Sequence, residues 1–129
     1  MTEQRTVLIV DDDPDVIDQL TVMLAAENCR VVAAGGKEEA EEVLMTVRPD
    51  LAILDLMMEQ MDSGFVLAHH IKTLYPKTPI LLLTGVTSAT GMSFSVEDAE
   101  ARSWLKAERI LDKPVRPEQL RAEVRRLLA

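Results

Sequence analysis

Four short apolar runs, each ending in a polar residue, constrain this 129-residue chain more than any other feature. Val7-Leu8-Ile9-Val10 leads into Asp11-Asp12-Asp13, and Leu51-Ala52-Ile53-Leu54 into Asp55. Ile80-Leu81-Leu82-Leu83 leads into Thr84, and Arg109-Ile110-Leu111-Asp112 into Lys113-Pro114. Apolar runs of this length without alternation read as strands covered on both faces. In an open parallel sheet, ligands bind at the C-terminal edge of the strands. The residues released there are therefore the first candidates for chemistry.

Helical patterns fill the intervals. Asp13 is a candidate N-cap with Pro14 in the first turn, and Val16, Ile17, Leu20, Met23 and Leu24 repeat at helical spacing. Arg30–Ala34 reads as a second strand and Gly35-Gly36 as a turn. Ala40, Val43, Leu44 and Val47 mark the next helix, which Pro49 ends. Gly64 precedes a helix with Leu67, Ala68, Ile71 and Leu74 inward, stopped by Pro76. Val86 to Ser95, rich in Ser, Thr and Gly, reads as a loop. Ser95-Val96-Glu97-Asp98 resembles a capping box, opening a short helix with Val96, Ala99 and Trp104 on its buried face. Pro117 opens the last helix, striped by Leu120, Val124, Leu127 and Leu128. Five β/α units result, giving one α/β domain over 1–129 built on a parallel sheet.

Composition narrows the setting. No apolar run is long enough to cross a bilayer, and the first five residues lack a signal peptide's apolar stretch. Cys29 is the only cysteine, so no internal disulfide forms and a reducing compartment is expected. Together these point to the cytoplasm, away from membranes. A net charge of -8 argues against general nucleic-acid affinity. Residues 102–129 nevertheless carry eight Lys/Arg against four Asp/Glu, leaving -12 on the rest. Arg121, Arg125 and Arg126 are read as a solvated helix face. His69 and His70 are adjacent on a helix and face different directions, which suits surface or packing roles.

Asp11 and Asp12 follow the first strand and Asp55 the third, and in a doubly wound sheet these strands are neighbours. Three carboxylates brought together repel one another unless a cation sits among them. A hard divalent ion such as Mg2+ suits that set, leaving coordination positions for water and phosphate oxygens. The same arrangement serves a phosphoryl acceptor, in which a carboxylate attacks phosphorus. Thr84 offers a hydroxyl donor and Lys113 a compact positive charge. The Lys113-Pro114 bond invites a tight turn that aims the lysine back over the site.

In this order the motifs Val-Leu-Ile-Val-Asp11-Asp12-Asp13-Pro14, Pro49-Asp50-Leu-Ala-Ile-Leu-Asp55, Pro79-Ile-Leu-Leu-Leu-Thr84-Gly85 and Leu111-Asp112-Lys113-Pro114 are specific. Along nearly its whole length the chain resembles the receiver domains of two-component response regulators. The resemblance implies a flavodoxin-like fold of five parallel strands in order 2-1-3-4-5 with five helices. It implies Asp55 as phosphoacceptor, and Mg2+ held by Asp11, Asp12, Asp55 and the Met57 backbone carbonyl. It further implies Thr84 as switch hydroxyl and Lys113 as the phosphate-contacting lysine. The implied donor is a histidine kinase or phosphotransfer protein, and the implied output surface lies on the fourth and fifth helices. With no effector segment after Ala129, output is expected through a partner, unless the chain is a receiver cut from a longer one.

The chain also departs from the family pattern. Glu59-Gln60 replace a usual Pro-Gly, and the loop to Phe65 is one residue longer. Lys113 follows Thr84 by 29 positions, a longer interval than usual, with the excess placed in Val86–Ser95. Ile110 stands where the family commonly has Tyr or Phe, so the usual coupling through an inward-turning ring cannot operate in that form, which leaves repacking of Ile110 or a contribution from Trp104 open. Met57 and Val86 put apolar side chains where polar ones help place hydrolytic water, which predicts a long-lived phosphorylated state; rapid loss of label from the isolated protein contradicts it. Two other functions are less well supported by the sequence. A phosphorylation-independent binding module on the same fold is opposed by the intact set of five site residues. An aspartyl-nucleophile phosphohydrolase is opposed by Asp15 in the final position of its motif and by the lack of a cap domain.

Overall fold

A computed structural model describes residues 4–55, 63–84, 108–113 and 115–128, without the side chains of 63 and 65. Its strands are β1 (Arg5–Val10), β2 (Cys29–Ala34), β3 (Leu51–Asp55), β4 (Ile80–Thr84) and β5 (Arg109–Asp112). Its described helices are α1 (Pro14–Leu24), α2 (Lys37–Leu44), α3 (Ser63–Leu74) and a C-terminal helix (Pro117–Leu128). All strands are parallel and lie in the order β2-β1-β3-β4-β5, as expected. The expected helix around Val96 to Trp104 lies outside the described residues.

Strand alternation sends successive side chains to opposite faces, and both faces are covered. On one, Leu8, Val10, Ala52, Leu54, Ile80 and Leu82 pack against Ala40 and Leu44 of α2 and Leu67, Ala68 and Ile71 of α3. On the other, Val7, Ile9, Leu51, Ile53, Leu81 and Leu83 meet Leu20 and Leu24 of α1 and Leu120 and Val124 of the C-terminal helix. Every residue of β3 and β4 is buried. Each fully buried Leu or Ile contributes about 1.5–3 kcal/mol of transfer free energy, so this double-sided core fixes the sheet that carries the site.

Four local expectations need correction. β2 begins at Cys29, one residue early, because Asn28 takes the left-handed conformation (φ 53) after the 3-10 turn Ala25–Glu27 and turns the chain into the sheet. α2 stops at Leu44, leaving Val47 outside; the Met45 amide donates to Glu42 O and the Thr46 amide to Val43 O, three residues back in each case, tightening the last turn well before Pro49. Gly64 lies inside α3, buried in its first turn, where tertiary packing overrides its weak helix propensity. Leu74 is 45% exposed, not inward. The buried stripe runs through Gly64, Leu67, Ala68 and Ile71, and Tyr75 completes it, donating its hydroxyl to the Leu44 carbonyl at 2.7 Å. At 100° per residue Leu74 falls at the stripe's edge.

The basic face of the C-terminal helix is solvated at Arg125 and Arg126, as expected, and both are also paired. Arg125 grips Glu27 with two nitrogens, at 2.8 and 3.1 Å, and Arg126 pairs with Glu123, which also meets Arg109. Cys29 is half-buried, and burial first, then Glu27, pushes its thiol above the usual range. Among the described residues no helix is long and apolar enough to cross a membrane.

Candidate phosphoryl-transfer site

Register places the acids. Val10 and Leu54 are partners across β1 and β3, so Asp11 and Asp55 follow one position further along each neighbouring strand. Adjacent strands lie about 4.8 Å apart, which sets the approach of the two carboxylates. Asp12 joins them, and one carboxylate oxygen from each of Asp11, Asp12 and Asp55 lies within 4.8 Å of the others. Asp11 and Asp55 are buried and Asp12 is exposed at the rim.

Local hydrogen bonds hold the loop after β1. The Asp11 amide donates to Ala34 O of β2 at 3.2 Å, and one Asp11 oxygen accepts from the Asp13 amide at 2.9 Å. Asp13 then caps α1, accepting from the Asp15 amide at 3.0 Å. Asp13 is thus the helix cap the sequence suggested, and its amide also braces the Asp11 carboxylate.

Lys113 closes the cluster from β5. Its backbone amide donates to Thr84 O at 2.9 Å, extending the β4–β5 ladder by one bond beyond Asp112. The side chain reaches across the sheet edge, with Nζ 2.9 Å from Asp11 Oδ2 and 3.4 Å from Asp55 Oδ2. Burial lowers the lysine's proton affinity, but the hydrogen bond to Asp11 and the charges of Asp55 and Asp11 outweigh it and hold the ammonium above its usual range. Thr84 is 3% exposed at the end of β4, one residue past the partner of Asp55.

Asp11, Asp12, Asp55, Thr84 and Lys113, drawn from the ends of four strands, therefore converge at one edge. Met57, Val86 and Pro114 lie outside the described residues. The sequence reading did not anticipate the contact of Lys113 with Asp11, shorter than that with Asp55. Strand order gives no signal for it, because β3, which carries Asp55, lies nearer to β5 than β1 does.

The charge balance tests whether a cation fits. Three ionised carboxylates and one ammonium leave a formal -2, which a divalent ion neutralises. The ligands are all oxygens, the donor type that hard cations prefer. The residues therefore suit Mg2+.

Sequence comparison agrees with this geometry. Residues 7–125 match the model of the response regulator receiver domain, and the chain belongs to that family. It is 30% identical over 124 residues to the DNA-binding response regulator MtrA of Mycolicibacterium smegmatis, covering 96% of this chain and 50% of that protein. It is 31% identical over 123 residues to the probable transcriptional regulatory protein TcrX of Mycobacterium tuberculosis, covering 95% and 49%. The chain thus spans about half the length of the curated relatives it matches. Among solved structures, the chemotaxis response regulator CheY4 of Vibrio cholerae is similar with a TM-score of 0.82 and 28% identity, covering 98% of this chain and all of that one.

Proposed function

We propose that this receiver domain is a phosphoacceptor switch in which Asp55 takes a phosphoryl group from a phosphohistidine on a histidine kinase or phosphotransfer protein. The observation that carries this reading is Asp55, buried among two further carboxylates and Lys113 at the C-terminal sheet edge. An Asp55 oxygen attacks phosphorus, the phosphorus–nitrogen bond of the donor breaks, and an acyl phosphate forms. Asp11, Asp12 and Asp55, with the Met57 carbonyl as the family pattern implies, would hold Mg2+, which would supply charge neutralisation for the incoming phosphoryl oxygens. Lys113 moves from its carboxylate partners to a phosphoryl oxygen, and Thr84 donates its hydroxyl to another. The domain supplies these groups for its own modification and is not a turnover enzyme.

The added charge biases the β4–β5 side of the molecule. A hollow of about 820 Å3 opens there, along β5 and the start of the C-terminal helix, beside Lys113. A partner protein reads that face. The names of the longer relatives speak of DNA binding, but nothing in these residues requires direct contact of this domain with nucleic acid at a net charge of -8.

The test is intact-mass measurement after incubation with acetyl phosphate and Mg2+. Wild type gains one phosphoryl group, and Asp55→Asn or chelator abolishes the gain. An equal gain in Asp55→Asn overturns the assignment, and no gain in wild type favours the phosphorylation-independent binding module.

A further inference from the structure

At the opposite end of the sheet, the N-terminal edges of β1, β3 and β4 surround a hollow of about 180 Å3 lined by Arg5, Arg48, Lys77, the buried Thr78 and Leu127 and Leu128 of the C-terminal helix. Arg5 opens β1, so this hollow is roughly 20 Å from Asp11 along the strand. Among the described residues, none of its three cations lies within 4.0 Å of a carboxylate. Acids are not scarce, since the chain has 22, and Lys37, Lys72, Arg109, Lys113, Arg125 and Arg126 all pair with one. Asp50 is the single lining carboxylate, and one of its oxygens accepts from the Thr6 amide at 2.8 Å. The lining charge is therefore +2, and the helix C-terminus subtracts only about half a charge.

We propose that this hollow is a phosphate-binding site, separate from the acidic site at the other edge of the sheet. Two guanidinium forks and an ammonium offer more donors than one carboxylate can use and match a tetrahedral oxyanion. The volume holds roughly six waters, room for a phosphate group with part of its hydration but not for a whole nucleotide. The ligand is inorganic phosphate or the phosphate of a small monoester, and the flanking Leu127 and Leu128 favour neither.

The experiment is titration of the 15N-labelled protein with sodium phosphate and, separately, glycerol phosphate. EDTA is present and ionic strength is held constant with sodium chloride. Without divalent cations the three carboxylates repel phosphate, so binding there does not contribute. Saturable shifts are expected at the amides of Arg48, Lys77 and Thr78, with those of Asp11 and Asp55 unmoved. The stronger of the two ligands identifies the source. Arg48→Ala with Lys77→Ala weakens the affinity by about tenfold or more, the loss of one to two charge-assisted bonds. Both side chains are exposed, and Lys77→Glu alone gives the same direction. Shifts that never saturate, that chloride reproduces, or that survive in the double variant overturn the proposal.

Discussion

Lys113 stands between two carboxylates, and its removal tests how far it offsets their repulsion. Lys113→Ala leaves Asp11, Asp12 and Asp55 crowded together with no ammonium, in a half-buried setting. Breaking a fully buried pair costs 3–5 kcal/mol; partial exposure reduces this to about 1–3 kcal/mol here. Chemical denaturation without Mg2+ should show that loss, and saturating Mg2+ should recover part of it; equal stability with and without the lysine refutes the picture. The pH dependence follows from the raised lysine. Its stabilisation is complete below the unfolded-state value of about 10.4 and disappears as pH rises through the higher folded-state value. The five candidate site residues were legible in the sequence because each ends or closely follows a recognisable strand. The 2.9 Å approach of Lys113 to Asp11 was not, because 102 residues of chain separate them and the strand order sets β3 and β4 between their strands.

Elements succeed or fail by their periodicity. β1, β3 and β4 were readable as unbroken apolar runs, since strands covered on both faces have no polar side to show. α3 was readable only in part: the spacing pointed to Leu74 as the last inward position, whereas Tyr75 fills it and donates its hydroxyl to Leu44 O. The end of α2 escaped for a related reason, because the apolar Val47 continues the helical spacing although the backbone has already turned at Met45. Two substitutions on α3 separate burial from mere hydrophobicity. Ile71→Ala, at a fully buried position, should cost about 2–5 kcal/mol. Leu74→Ala, at a position 45% exposed, should cost under about 1 kcal/mol. Urea midpoints of the two variants check this, and similar losses would return Leu74 to the core.

Among the described residues, the sheet separates charge: carboxylates gather at its C-terminal edge, and cations with no carboxylate partner at its N-terminal edge. A ligand that neutralises the acidic end relieves repulsion present in the native fold and nearly absent from the unfolded chain, so it must raise stability. At a Mg2+ concentration a hundredfold above the dissociation constant, the gain is about 2.7 kcal/mol. For a chain of this length each kcal/mol moves the melting temperature by about 3–4 °C, so a shift near 10 °C is expected. Sodium chloride at matched ionic strength screens exposed charges but cannot bridge three converging oxygens, and it should shift melting far less. Asp12→Asn is the sharpest control, because Asp12 is exposed at the rim and its loss leaves the packing intact. That variant should melt at or above the wild-type temperature without Mg2+, since one repelling charge is gone, and should gain less when Mg2+ is added. A Mg2+ shift of the same size in wild type and in Asp12→Asn would mean that the ion stabilises the fold from somewhere other than the three aspartates.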